Sequence, residues 1–220
     1  HPILFGGGGN RTVLLNSFGS SNLLRCVSTW LQGTCRSTEL RPPCPAPVLH
    51  WRSVILGAGA WDLQSRPCCE QTEARMQRLV STVRSVVETA LRHADTVVWM
   101  TTTPAPEHAG CCHDPKLNYS GHEHLRGQVG TVGYCNHDAS TQNRLVAAMV
   151  RATFSTQRVA IADTHSAVAS RCGASYRHCA IQSQFASDGK LVMCNVHFTP
   201  SGYAEVHGPA VARALSSLVL

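Results

Sequence analysis

The residues best equipped for chemistry lie in the string Cys194-Asn195-Val196-His197-Phe198-Thr199-Pro200-Ser201-Gly202-Tyr203, with an imidazole at its centre. Thr199 suits a helix cap and Pro200 the first helical turn, so His197 is expected at a sharp strand-to-helix transition. A His held there projects from the C-terminal edge of a sheet, where ligands bind in open α/β folds. The chemistry available to it is general-base catalysis, because a Ser hydroxyl is a poor nucleophile until a neighbouring imidazole takes its proton. The plainer alternative is a His that only caps a turn.

Three other stretches stand in order before it. Val54-Ile55-Leu56-Gly57-Ala58-Gly59-Ala60-Trp61-Asp62-Leu63 is an apolar run opening into a turn. Val97-Val98-Trp99-Met100-Thr101-Thr102-Thr103-Pro104 is a second such run. Ile161-Ala162-Asp163, followed by Tyr176 and Cys179-Ala180-Ile181-Gln182, leads toward the His-bearing string. In this order and spacing the chain beyond residue 12 resembles the SGNH (GDSL-like) hydrolases. The resemblance implies a three-layer α/β/α sandwich with a central parallel sheet. It also implies ester hydrolysis by Ser-His chemistry, with His197 matching the family's general base.

The pattern breaks at the nucleophile. The family carries a Gly-Asp-Ser block at the end of its first strand, and the chain contains no such tripeptide. Two alignments of Asn16 to Ser21 follow. In one, the segment is the family's second block. Gly19 then offers a backbone N–H to the oxyanion, and the Ser block, with its strand and helix, lies upstream of His1. In the other, Gly19-Ser20-Ser21 is an altered nucleophile block with Ser21 as nucleophile. The first leaves more chain for both blocks before Trp61. Gly57 stands where the third block normally has Asn, so a side-chain donor to the oxyanion is missing and only the Gly57 N–H can serve. Losing such a donor costs about a hundredfold or more in rate. Cys194 stands where many relatives carry the aspartate that orients the His, and a thiol cannot hold imidazolium as a carboxylate does. Asp163 or Asp188 are the residues that could take that place in space.

Residues 105–139 read as a His/Cys-rich insertion containing Glu107-His108, Cys111-Cys112-His113, His122-Glu123-His124 and Cys135-Asn136-His137. These are zinc-competent side chains at spacings that match no recognised finger. Disulfides or plain surface are the expected roles, with no metal and no cofactor. An insertion following the C-terminal end of a strand is placed to overhang an active-site mouth and shape substrate choice.

The elements that must position these groups alternate between strand and helix. Short β-prone runs are expected at Thr12 to Leu15, Ser53 to Leu56, Thr96 to Met100 and Val159 to Ala162. Helical spacing appears from Asn22 to Leu31, with Asn22 as cap, and from Glu70 to Leu91, about Thr141 to Phe154, and Tyr203 to Leu218. The Pro-rich segment Gly33 to Pro47 reads as loop, and Val168 to Gly189 as irregular. Such alternation implies a parallel sheet covered on both faces.

At 220 residues the chain fits one domain. The net charge of +6 is scattered rather than striped, which argues against a nucleic-acid partner. No apolar run is long enough to span a bilayer. Eleven Cys without a Cys-x-x-Cys pair, and two N-x-S/T sequons at Asn10 and Asn118, suit an oxidising, secreted or luminal setting. Cys172 and Cys179 are the expected local disulfide. The functional expectation is an ester hydrolase or acyl transferase acting on an O-acyl group of a small molecule or glycan. The alternative is a catalytically inactive SGNH-like domain that binds a carbohydrate or protein partner. A Gly-Asp-Ser encoded about fifteen to thirty residues before His1 would separate the two.

Overall fold

The structure, a computed structural model, describes residues 2–5, 12–16, 20–31, 50–59, 62–63, 72–104, 136–172 and 203–218. Strand β1 (Pro2–Phe5) pairs antiparallel with β2 (Thr12–Asn16). Helix α1 (Ser20–Leu31) leads to β3 (Trp51–Gly57), and α2 (Glu73–Leu91) to β4 (Ala94–Met100). Helix α3 (Asn136–Thr153) precedes β5 (Val159–Ala162), which runs into α4 (Thr164–Cys172). A π-helical turn, Tyr203–His207, then feeds α5 (Gly208–Ser216).

The strands lie in the order β1-β2-β3-β4-β5, and β2 to β5 are parallel. Because spatial order follows chain order, every right-handed crossover steps the same way, and α1, α2 and α3 are carried to one face. Side-chain alternation then divides the core. Val13, Leu15, Val54, Leu56, Val97 and Trp99 pack toward Leu23 and Val27 of α1, Val83, Val86 and Val87 of α2, and Val146 and Val150 of α3. The intervening residues Ile55, Val98, Met100 and Ala162 face Ala210 and Ala214 of α5. The result is the three-layer α/β/α sandwich expected from the sequence. Each fully buried Val or Leu contributes about 1.5–3 kcal/mol by leaving water, so the α2 stripe alone is a major part of the core.

Against the sequence reading, β3 and β4 each start two residues earlier, and α2 starts at Glu73 rather than Glu70. The last helix is a π-helical turn followed by a helix ending at Ser216. Further differences concern β1, α1, α3 and α4. Strand β1 was not anticipated: Ile3, Leu4 and Phe5 extend the edge antiparallel to β2, so the sheet is mixed there. Helix α1 starts at Ser20, which makes Asn22 a residue inside the helix and not its cap. Its N-terminus is held across the chain instead, by the Asp62 carboxylate that accepts the Ser20 N–H at 2.6 Å. Helix α3 begins at Asn136, so the last residues assigned to the insertion, 136–139, are its first turn. Helix α4 continues to Cys172, through the start of the segment read as irregular. Helix α2 is capped by Thr72, whose Oγ1 accepts the Arg75 N–H at 3.3 Å.

At the opposite end of the sheet one side chain joins several main-chain carbonyls. Arg158 donates from Nε to Asp95 O at 3.1 Å and from one Nη to Leu91 O at 3.1 Å and Ala94 O at 3.0 Å. A guanidinium thus serves carbonyls at the end of α2 and the start of β4. Arg158→Ala is expected to lower stability by about 1–2 kcal/mol, the scale of losing charge-assisted bonds that water partly replaces. Arg158→Lys should recover part of that loss, as urea unfolding of the two variants would show.

Candidate active site

The ladder sets Asn16 beside Gly57, Gly57 beside Met100, and Met100 beside Ala162. The four parallel strands therefore end level, and the segments leaving them start from one edge. This is the edge at which open α/β sheets bind ligands.

Thr102, two residues past β4, is the hub of that edge. Its hydroxyl donates to Ala58 O at 3.0 Å and accepts from Gln142 Nε2 at 2.7 Å. Its main chain is satisfied by one side chain: the N–H donates to Asn143 Oδ1 at 2.9 Å, and Asn143 Nδ2 donates to its carbonyl at 2.8 Å. The Asn143 amide thus substitutes for a neighbouring strand and fastens α3 to the end of β4. Gly59 completes the turn after β3 with φ +127°, a left-handed value that favours glycine. Its carbonyl accepts the Leu63 N–H at 3.1 Å.

The start of α4 reaches the same hub. The Thr101 hydroxyl accepts the His165 N–H at 2.9 Å, and the Thr164 hydroxyl donates to the Thr101 carbonyl. His165 Nδ1 lies 3.0 Å from Thr102 O. A carbonyl only accepts, so Nδ1 carries the proton of this bond, and Nε2 of the neutral ring is left as an acceptor. Ser140 Oγ, in the first turns of α3, lies 3.4 Å from that Nε2. Asp163 accepts the Ser166 N–H at 3.0 Å and stands 3.4 Å from Thr101 Oγ1. Burial works against the Asp163 charge. The Ser166 N–H and hydroxyl, the neighbouring His165 and the Thr101 hydroxyl outweigh it and hold the carboxyl below its ordinary range.

Of the candidate site residues singled out in the sequence, Ser21, Gly57 and Asp163 fall among those described. Ser21 is exposed in the first turn of α1, and Gly57 is the buried last residue of β3, paired on both sides. Ser20, beside Ser21, is buried and also directs its hydroxyl at Asp62, 3.2 Å from Oδ1. Asp163, considered for orienting His197, is bound locally as above. His197, Gly19, Cys194, Asp188 and Cys179, and residues 105–135 of the insertion, lie outside the described residues. Among the described residues no group of three His, Cys, Asp or Glu could hold a metal ion, and no helix is long and apolar enough to cross a membrane.

Sequence reasoning passed over Ser140, Gln142, Asn143 and His165. A weak signal for Gln142 existed: it lies one turn before the buried Val146 on a stripe otherwise suited to apolar residues. Nothing local could have joined Ser140 to His165, which are brought together only by the α3–β5–α4 path.

No protein-family model matches the chain, and no curated protein matches it by sequence. Among solved structures it is similar to a variant of an acetyl-xylooligosaccharide esterase from Geobacillus Stearmophilus. The two are 14% identical, with 92% of this chain and 81% of that one covered at a TM-score of 0.39. A likeness of that size says nothing further about the chemistry of this chain.

Proposed function

We propose that the domain hydrolyses, or transfers, an O-acyl group at the C-terminal edge of its sheet, on a small molecule or a glycan. The observation that carries this reading is the level ending of β2 to β5 at Asn16, Gly57, Met100 and Ala162. That register gathers the Ser20-Ser21 start of α1, the Gly59 turn and the Thr101-Thr102 segment at one edge. His197 is the proposed general base, by the resemblance of Asn195 to Tyr203 to the last SGNH block. Gly19 and Gly57 are the proposed oxyanion donors, and Ser21 is the nucleophile in one of the two alignments of Asn16 to Ser21. A secreted setting with most Cys in disulfides belongs to the same proposal.

A second reading has its own support: the Asp62 carboxylate, and with it the Ser20 hydroxyl, is engaged in holding the start of α1. An edge whose polar groups serve the fold suits an inactive domain that binds a carbohydrate or protein partner. Hydrolysis of p-nitrophenyl acetate by the 220-residue chain separates the readings. For the enzyme, turnover above the blank should fall by about 10²–10⁴-fold in His197→Ala, the usual contribution of a general base. Loss in Ser21→Ala as well would assign the nucleophile to Gly19-Ser20-Ser21. Loss in His197→Ala with Ser21→Ala unaffected would place the nucleophile elsewhere. Blank-level rates for all three proteins would fit either the binding domain or the alignment that puts the Ser block upstream of His1.

A further inference from the structure

We propose that Ser140 and His165 form a nucleophile–base pair, separate from His197, that accepts an acyl group from an ester carried on a large, exposed molecule. The inference rests on four features of the edge described above. First, Ser140 Oγ and His165 Nε2 are 3.4 Å apart, and such contacts are often longer before substrate binds than in the reacting complex. Second, the bond to Thr102 O selects the tautomer in which Nε2, the atom facing the serine, is unprotonated in the neutral ring. Third, the ring's support is itself held. Thr102 is fixed by Ala58, Gln142 and both ends of the Asn143 amide, and the His165 N–H is fixed by Thr101. A base oriented by a third, rigid group is the arrangement that makes a serine hydroxyl reactive. Fourth, the Asp163 carboxylate is close enough to His165 for the two charges to interact, so imidazolium formed during the reaction would have a nearby counter-charge.

The position of the pair sets the kind of substrate. Ser140 is exposed and His165 half-buried, so the reacting atoms face outward at the surface. That geometry suits an acyl ester presented on a glycan or another large carrier, which need not be swallowed whole. In the reaction Ser140 Oγ attacks the ester carbonyl carbon and its proton passes to His165 Nε2. The tetrahedral intermediate breaks its bond to the alkoxide, which leaves as the alcohol with that proton. The product is an ester on Ser140. Water then attacks the new carbonyl and gives a proton to Nε2. The bond to Ser140 Oγ breaks, the serine is reprotonated, and the carboxylic acid departs. Helix geometry leaves the first-turn N–H groups of α3, near residues 136–138, without acceptors inside the helix, and these are the donors closest in sequence to the developing oxyanion.

The experiment treats the chain with a fluorophosphonate probe, which phosphonylates serines that have a working base, and locates the adduct by peptide mass spectrometry. The expected result is modification of Ser140, abolished in Ser140→Ala and slowed about a hundredfold or more in His165→Asn. The asparagine is chosen because its amide can still donate to Thr102 O while Nε2 is removed; circular dichroism of the variant reports whether the fold persists. His197→Ala should leave the Ser140 adduct unchanged. That result keeps the inference separate from the proposed function: Ser140 labelling without ester turnover would uphold the pair alone. No adduct on Ser140 in the folded chain would overturn the pair. So would an adduct that forms as fast in folded His165→Asn as in the parent. An adduct on Ser21 alone, dependent on His197, would overturn the pair and support the reading based on His197.

Discussion

Replacing Gly59 with alanine should cost roughly 4 kcal/mol of stability, a large share of the 5–15 kcal/mol by which a domain is typically stable. Two effects act together. The backbone sits at φ +127°, where an L side chain adds about 1–3 kcal/mol of strain. The added Cβ would also lie 2.1 Å from Gln142 Nε2 and 2.5 Å from Thr102 Oγ1, far inside contact distance. Gln142 is buried, so it cannot swing into solvent without breaking its bond to Thr102. Forced overpacking of this kind adds about 1–3 kcal/mol. Urea unfolding followed by tryptophan fluorescence measures the loss. The double variant Gly59→Ala with Gln142→Ala should recover part of it, because the nearer clash is gone while the Thr102 contact and the strain remain. A cost below about 1 kcal/mol in the single variant would show that the turn after β3 can relax, contrary to the tight packing seen there.

Acid should weaken the fold through His207 before most carboxylates titrate. This imidazole is buried where the π-helical turn meets α5, and loss of hydration lowers its pKa from 6.5 to about 4. The folded state therefore binds this proton less readily than the unfolded chain. Stability is complete above about pH 6.5 and declines as the pH falls through the window to about 4, by up to about 3 kcal/mol. His93, at the other end of the sheet, has its pKa lowered by burial and by the neighbouring Arg92 and His50, so it acts in the same direction. Asp163 works at lower pH: its depressed carboxyl contributes stability that is lost only as the pH falls below the ordinary 3.8. Unfolding free energies at pH 7.5, 6 and 5 should fall steadily in the parent. In His207→Leu the slope should flatten, because the apolar side chain has no proton to gain. An unchanged slope in that variant would assign the acid sensitivity to other groups.

Where the sequence was informative, the signal was periodic and local. The α2 stripe of Leu79, Val83, Val86 and Val87 and the apolar runs of β3 and β4 place their own burial, because a helix repeats near four residues and a strand alternates. The boundaries were less legible. Asn22 is a good cap by residue type, yet α1 is capped from Asp62, 42 positions away from Ser20. Capping by a distant carboxylate leaves no mark near the helix it serves.

From the sequence alone came the class of fold, the residue types suited to ester chemistry and the resemblance centred on His197. All three depend on short-range pattern: period, turn chemistry and an ordered series of strings. The tertiary structure alone decided which polar groups meet. The level ends of four parallel strands place Ser140 against His165, which is 25 positions later, and make Thr102 O the acceptor that selects the His165 tautomer. It also turned Asn143 from a polar helical residue into a substitute for a strand edge, and Gly59 from a turn residue into one with no room for a methyl group. The reason is physical. Hydrogen bonds and close contacts depend on angstrom-scale register between elements, and that register is set by packing across the sheet, whereas periodicity describes each element by itself.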